Sequence, residues 1–207
     1  MKNQYLWLIA MSSIFTTVCE AAPQGLLTAG TYLTTLYHFT EESKSTPRSE
    51  KTRNIYAYVN GESKVIAKVS PNWFNVLLME GQGRLVDHRI INYSGSMNGT
   101  YYFSEADPLV APWGYGIHNR PLTPFRSVAV DGSIIPVGSK IYIRITDGMP
   151  LPDGSIHDGW WVADDQGRDI RNHHIDLFVG NKNGSKVLND YIHSQKIKTK
   201  IKVYPAD

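Results

Sequence analysis

Polar and apolar residues alternate along several short segments of the chain. From 196 to 203, lysine occupies every second position, and Ile, Thr, Ile and Val occupy the positions between. This pattern is typical of a β-strand with one solvated face and one mostly apolar face. Segments rich in β-branched and aromatic residues predict further strands. These lie at 30–40, 55–59, 64–69, 83–93, 99–103, 126–130, 140–145, 160–163 and 175–179.

Two segments have helical character. Ser70 is a good N-cap, and Pro71 suits the first helical position, where a missing N–H costs nothing. An apolar run follows, and Gly81 ends the helix. A second helix is predicted at 185–193. Short strands separated by turn signals favour a closed or nearly closed β-barrel that carries a few helices.

The N-terminus has the pattern of an export signal. One lysine precedes an uncharged 14-residue stretch that ends at Val18, too short for a membrane span of about 20 residues. Small residues at 19 and 21 fit cleavage after Ala21. A buried N-terminal helix and lipidation at Cys19 are the alternatives, although Val18 fits a lipidation site poorly. We therefore expect a signal peptide at 1–21 and a single domain at 22–207 in a periplasmic or secreted protein.

Composition excludes several classes of protein. With 42% hydrophobic and 19% charged residues, the chain can bury a core and is not a disordered polyelectrolyte. A net charge of +2 is too small to indicate nucleic-acid binding. The single cysteine excludes a disulfide scaffold and a Cys-rich zinc site. The sequence lacks metal, nucleotide and flavin motifs, and His173-His174 are poor co-ligands. We expect no metal, no cofactor, no membrane insertion after signal cleavage, and a monomer.

Aspartates in apolar surroundings are the candidate chemical groups. Asp131 and the pair Asp164-Asp165 follow apolar runs, and Asp176 lies between Ile175 and Leu177. A carboxyl group at the end of a buried strand has a raised pKa unless it is paired, as a general acid at neutral pH requires. The same residues could simply cap turns. Local sequence favours turn capping for Asp131 and Asp176 and leaves Asp165 open.

Several separated blocks carry a family resemblance. They are Phe125–Asp131, Ile135–Gly138, Ile141–Ile143, Val162–Gly167 and His174–Gly180. Together they resemble the 3D (three-aspartate) domain over a core motif at 113–180. This domain forms the C-terminal part of the membrane-bound lytic transglycosylase A family and occurs in small secreted proteins. Less distinctive blocks at 36–39, 68–71 and 79–84 extend the similarity. The resemblance implies a mainly β protein, a six-stranded double-psi β-barrel with a few short helices.

The resemblance also implies an activity on peptidoglycan glycan strands. Family members cleave the β-1,4 bond between N-acetylmuramic acid and N-acetylglucosamine and leave 1,6-anhydro ends. The catalytic aspartate maps to Asp165, with Asp131, Asp176 and Asp164 in support. One carboxyl group suffices: it protonates the glycosidic oxygen, the C6 hydroxyl of the sugar attacks C1, and the carboxylate takes the hydroxyl proton. The candidate substrate-binding residues are Trp113, Tyr115, Trp160, Gly167 and Arg171, although each aromatic ring could instead pack in the core or at the barrel rim.

The stretch after the catalytic position departs from the family pattern. Family members have roughly Gly-Gly-Ala-Ile-Lys-Gly there, whereas this chain has Gly167 to Asn172 with Arg168 and Asp169 in place of tiny residues. Asn172 can adopt the left-handed conformation that glycine would supply. Arg171 keeps the charge of lysine but presents a planar fork. The chain is also short for the large inserted second domain of full-length relatives, which predicts a shallower cleft.

Two other functions remain open at the level of sequence. The protein could be a non-catalytic, expansin-like polysaccharide-binding module whose lysine face at 196–202 contacts anionic wall polymers. Protection of an edge strand also explains such lysines. Alternatively, it could be an inverting β-glycan hydrolase, which needs a second carboxylate about 6.5–9.5 Å from the acid. Asp131 or Asp176 could fill that role.

Overall fold

The computed structural model describes residues 27–43, 52–192 and 197–205. The predicted signal peptide, with Cys19 and its cleavage site, and Lys196 lie outside these residues. The elements are β1 (Thr28–Tyr37), β2 (Thr40–Glu41), β3 (Arg53–Val59), β4 (Glu62–Val69), α1 (Pro71–Glu80), β5 (Gln82–Arg84), β6 (Ile90–Met97), β7 (Thr100–Ala106), β8 (Ser127–Val130), β9 (Lys140–Pro150), β10 (Ile156–Asp165), β11 (His174–Phe178), α2 (Lys182–Ile192) and β12 (Ile197–Tyr204). A 3-10 turn at Ile117–Asn119 interrupts the long connection before β8.

Six strands close into a barrel in the order β1-β11-β8-β10-β9-β12. The pairs β1–β11 and β8–β10 are parallel, and the other neighbours are antiparallel. Alternate residues point inward, as the pleat of a strand requires. Val128, Trp161 and Leu177 are among the buried residues that fill the interior. The predicted mainly β fold with a six-stranded double-psi barrel is confirmed.

A second six-stranded sheet is inserted between β1 and β8. Its order is β2-β5-β6-β7-β3-β4, and α1 packs on it through Trp73 and Leu77, which share a buried cluster with Ile55 and Phe103. The chain is short for the large inserted second domain of full-length relatives, but residues 40–106 still form an inserted six-stranded sheet. The boundaries of the signal peptide and of the domain at 22–207 remain a prediction.

The local predictions for α1 are confirmed. The Ser70 hydroxyl accepts a hydrogen bond from the backbone amide of Trp73 at 3.3 Å, and Gly81 ends the helix with a φ of 84°. The strand predicted at 83–93 is in fact two strands, β5 and β6, separated by a turn in which His88 has a φ of 73°. Within the described parts of the chain, neither helix is long and apolar enough to cross a membrane.

The last strand alternates as predicted, with exposed Lys198, Lys200 and Lys202 and buried Thr199 and Ile201 between them. However, β12 pairs with β1 on one side and with β9 on the other. The pairing with β9 runs only from Ile201 to Tyr204. Lys202 therefore lies between two paired strands, and edge protection does not explain it, whereas Lys198 and Lys200 are paired on the β1 side.

Candidate active site

An open groove of about 670 Å³ lies between the barrel and the inserted sheet. The barrel contributes Tyr37, Asp165 and Asp176 to its wall, and the inserted part contributes Glu80 and Tyr93. Below the groove, a shared cluster of buried residues joins the two parts; Phe39, Ile90 and Phe178 belong to it. The groove is thus built from segments far apart in sequence.

A β-bulge in β10 aims Asp165 into the groove. Ala163 pairs with Val128 and Asp165 pairs with Ala129, so two steps on β10 match one step on β8. Asp164 is the extra residue. Without the bulge, Asp164 would take the position opposite Ala129; bulges commonly redirect a side chain in this way.

Asp165, Ala129 and Asp176 form a row across three neighbouring strands. Ala129 pairs with Asp165 on β10 and with Asp176 on β11. Thr35 of β1 pairs with Asp176 and extends the row. With a strand spacing of about 4.8 Å, the backbones of the two aspartates are about 10 Å apart. The small side chain of Ala129 leaves the space between the two carboxyl groups open.

Asp165 has the environment of a general acid. Its Oδ1 accepts a hydrogen bond from the Gln166 amide at 2.8 Å, and its Oδ2 accepts one from the Tyr37 hydroxyl at 3.1 Å. Burial raises the pKa of Asp165, and these hydrogen bonds oppose the rise only in part. The residue as a whole is nevertheless half-buried rather than sealed, and it lines the open groove. It can therefore hold a proton and still reach a ligand in the groove.

Asp176 is the second carboxyl group of the row. Its Oδ1 accepts a hydrogen bond from the Thr35 hydroxyl at 2.6 Å. Burial raises its pKa to about 6, and the negative charge of Asp165 adds to the rise. The charge of Asp165 thus bears on the titration of Asp176, as a neighbouring like charge does.

Asp164 faces away from the groove and has structural partners. Its Oδ1 accepts a hydrogen bond from Arg120 Nε at 2.6 Å, and its Oδ2 accepts one from the Ser127 hydroxyl at 2.7 Å. It ties the bulge to the 113–126 connection. Gly116 of that connection lies so close that a Cβ there would be 2.3 Å from the Asp164 carbonyl oxygen.

Asp131 lies outside the groove lining. Its Oδ1 accepts hydrogen bonds from the amide and hydroxyl of Ser133, and its Oδ2 accepts one from the Asn172 amide at 2.8 Å. The Ser133 hydroxyl lowers the pKa of Asp131 most, so this residue remains ionised at neutral pH. Asp131 caps its turn and holds the end of the 167–172 loop.

The unusual 167–172 loop forms one end of the groove. Gly167, Arg168 and Asp169 line it, and the two charged side chains are exposed. Asn172 takes the predicted left-handed conformation with a φ of 56°. Arg171 lies outside the groove lining and donates hydrogen bonds to carbonyl oxygens of its own loop at 3.2 and 3.1 Å. One guanidinium nitrogen of Arg171 thus stabilises the loop.

The three candidate stacking aromatics lie in three different places. Tyr115 lines the groove; the Asn92 side chain holds its backbone with hydrogen bonds of 2.6 and 3.2 Å. Trp113 is outside the lining and packs edge-on against Phe39, with ring centroids 5.7 Å apart. Trp160 lies on the outside of the barrel, between Tyr142 and Tyr204.

Glu80 is a groove carboxyl group that the sequence reasoning missed. It ends α1 and is 8% exposed. Its Oε2 accepts a hydrogen bond from the His38 amide at 2.8 Å, and its Oε1 lies 3.2 Å from His38 Nδ1. Burial raises the pKa of Glu80 to about 7 and lowers that of His38. Although the contact has ion-pair geometry, both groups are therefore biased toward their neutral forms. The only signal in the sequence was the 79–84 block.

The described parts of the chain contain no group of three or more His, Cys, Asp or Glu side chains placed to hold a metal ion. His173 packs against Tyr32 with ring centroids 4.8 Å apart, whereas the Nε2 atom of His174 lies 2.8 Å from the Thr35 hydroxyl. The two rings thus have different surroundings, as expected for neighbours on an extended chain.

Comparison with protein families identifies the sequence class. Residues 126–191 match the 3D domain. This segment contains Asp131, Asp164, Asp165 and Asp176, together with the strands that carry them. This segment of the chain is therefore similar to the 3D domain, as the sequence blocks predicted. No curated protein matches the chain.

Comparison with solved structures identifies the fold as that of the MltA lytic transglycosylases. Escherichia coli MltA with bound chitohexaose matches with a TM-score of 0.59 and 16% identity, over 86% of this chain and 72% of that one. MltA from Neisseria gonorrhoeae matches with a TM-score of 0.57 and 14% identity, over 86% and 73%. The membrane-bound lytic murein transglycosylase from Agrobacterium tumefaciens gives 0.54 and 14%, over 84% and 74%. The similarity thus extends beyond the barrel to the inserted sheet.

Proposed function

We propose that this protein is a peptidoglycan lytic transglycosylase in which Asp165 is the single general acid and base. The observation that carries the proposal is the position of Asp165: half-buried, with a raised pKa, and aimed by a bulge into an open groove. The matched solved structures are lytic transglycosylases, one of them with a bound chito-oligosaccharide. The fold and the groove thus point to the same chemistry.

In the proposed reaction, protonated Asp165 donates its proton to the glycosidic oxygen between N-acetylmuramic acid and N-acetylglucosamine. The C6 hydroxyl of the muramic acid then attacks C1, and the Asp165 carboxylate accepts the hydroxyl proton. The product is a 1,6-anhydro end, and no water is consumed. Positioned proton transfer of this kind contributes about 10²–10⁴-fold to the rate.

The neighbouring groups assist Asp165 in different ways. The Tyr37 hydroxyl holds one carboxyl oxygen and stays protonated, because burial and the Asp165 charge raise its own pKa. The negative charge of Asp164 adds to the raised pKa of Asp165 and so favours its protonated form, and Asp176 lies in the same row of strands. Tyr115 and Tyr93 on the wall supply surfaces on which sugar rings can stack. We further propose that residues 1–21 direct export to the compartment that holds the substrate.

Digestion of purified peptidoglycan followed by mass spectrometry tests the proposal. The wild-type protein should release anhydro-muropeptides, and Asp165→Asn should release none. Asp190→Asn is the matched control, because Asp190 is an exposed aspartate of α2 that forms an ion pair with Lys186 and lies outside the groove lining. Reducing ends would instead indicate a hydrolase that uses a second carboxyl group. Binding without soluble products would indicate a binding module. Full activity of Asp165→Asn would refute the mechanism.

A further inference from the structure

A second surface with the features of a glycan site lies on the outside of the barrel, away from the groove. It spans the outer faces of β9, β10 and β12 and combines aromatic rings with basic side chains. We define this outer patch by six residues: Tyr142, Arg144, Trp160, Lys200, Lys202 and Tyr204.

Strand register places the aromatic and basic residues of the outer patch side by side. Tyr142 pairs with Trp160 on β10 and with Lys202 on β12. The ring centroids of Tyr142 and Tyr204 lie 5.2 and 5.3 Å from that of Trp160. All three rings are half-buried, so the cluster is held in place yet presents part of its surface to solvent. Such rigid, partly exposed rings are suited to stacking against sugar rings.

The basic side chains of the outer patch are exposed to solvent. Arg144, Lys200 and Lys202 are exposed, and none forms an ion pair with another residue of the described chain. Lys202 lies between two paired strands, since its partners are Ala29 of β1 and Tyr142 of β9. Edge protection therefore cannot account for this lysine.

The nearby acids offset this charge only in part. Asp147 lines the same surface as the three basic residues and accepts a hydrogen bond from the Tyr142 hydroxyl at 2.5 Å. Asp158 forms an ion pair with Arg126 and also accepts a hydrogen bond from the Trp160 backbone amide. The exposed side of β12 adds Lys198 next to Lys200. The surface thus carries a net positive charge.

A trough beside the aromatic rings is large enough to hold a ligand. It has a volume of about 740 Å³ and is bounded by β1, β12 and β9. The small side chains of Ala29 and Thr31 on β1, which pair with Lys202 and Lys200, leave this space open. A chain lying in the trough would have basic side chains along its length and an aromatic platform at one end.

We propose that the outer patch binds peptidoglycan at a second point. Sugar rings stack on Trp160, and carboxylates of the peptide stems contact Arg144, Lys200 and Lys202. The choice of this polymer rests on the proposed function, because a protein that cleaves peptidoglycan in its groove meets the same polymer on its outer surface. The chemistry requires a glycan that carries carboxylates.

Sedimentation with insoluble peptidoglycan tests this site separately from cleavage. All proteins carry Asp165→Asn, so that the polymer stays intact. The test variant adds Lys200→Gln and Lys202→Gln, and the matched control adds Lys64→Gln and Lys68→Gln, two exposed lysines of β4. We expect the test variant to bind about tenfold more weakly, which corresponds to about 1.4 kcal/mol for the two charge contacts together. The control should stay within about twofold of the parent.

A second probe isolates the role of charge. On peptidoglycan whose carboxylates have been amidated, the difference between test and control variants should disappear, and about 1 M salt should have the same effect. Trp160→Ala should weaken binding to both forms of the polymer. Equal binding by test and control variants, or an equal difference on amidated polymer, would overturn the outer patch. If the wild-type protein releases no anhydro-muropeptides in the cleavage assay, only the proposed function is overturned.

Discussion

The adjacent aspartates Asp164 and Asp165 should respond to substitution in opposite ways. Asp164 is 8% exposed and holds Arg120 and Ser127, so Asp164→Ala leaves two donors without their acceptor. Breaking a buried ion pair typically costs about 3–5 kcal/mol. The Arg120 side chain is 40% exposed and can be rehydrated, which reduces the expected cost to about 2–3 kcal/mol.

This cost should appear as a lower melting temperature. One kcal/mol corresponds to about 2–4 °C for a chain of this size, so Asp164→Ala should melt about 4–12 °C below the wild type. Asp165→Asn keeps an acceptor for Tyr37 and removes a carboxyl group that burial disfavours. Its stability should therefore stay within about 1 kcal/mol of the wild type, whereas its rate should fall at least 10²–10⁴-fold.

Calorimetry and a peptidoglycan-clearing assay measure the two effects on the same samples. The clearing assay should be run at about 20 °C, where Asp164→Ala is still folded, and this variant should keep most of its activity. The reasoning would be refuted if Asp164→Ala lost as much activity as Asp165→Asn. It would also be refuted if Asp165→Asn were the less stable of the two.

Three further predictions follow from the same contacts. Because Glu80 has a folded-state pKa of about 7, the stability it contributes is complete below about pH 4.5 and is lost as pH rises through 7. In urea unfolding at pH 8, Glu80→Gln should therefore be more stable than the wild type by up to about 3 kcal/mol. An unchanged dependence of stability on pH would contradict this. Ser70→Ala should cost about 1 kcal/mol through loss of the α1 cap, while Ser70→Asp should restore stability in the same measurement. Since protonated Asp165 is the acid, kcat/KM should fall as pH rises through its raised pKa, and a rate that increases up to pH 9 would exclude this role.

The sequence predicted the parts of the fold that depend on local pattern. Alternation identified β12, and the Ser70 and Gly81 signals placed both ends of α1. The inserted sheet was not predicted, because its pairing joins distant segments: β2 with β5, and β3 with β7. Such contacts leave no periodic signature along the chain.

In the candidate site, too, the sequence predicted some residues, whereas others depend on contacts between distant segments. Family blocks pointed to Asp165 and Asp176, which share the groove. They could not reveal that Asp164 faces away, since the bulge that separates the pair depends on register with β8. They also could not show which of Trp160 and Trp161 fills the barrel. Glu80 escaped notice because its burial depends on His38, 42 residues away.

Because the second sheet is inserted between β1 and β8, the candidate acid and the facing wall of the groove lie in different segments of the chain. Asp165 and Asp176 both lie in the barrel segment that matches the 3D domain, whereas Glu80 and Tyr93 on the facing wall come from residues 40–106. Mutations in the inserted segment can therefore reshape what the groove admits without altering its acid. The segment also shares a buried cluster with the barrel, to which Ile90 and Phe178 belong, so exchange of the whole segment between relatives must keep those contacts if it is to give new glycan preferences.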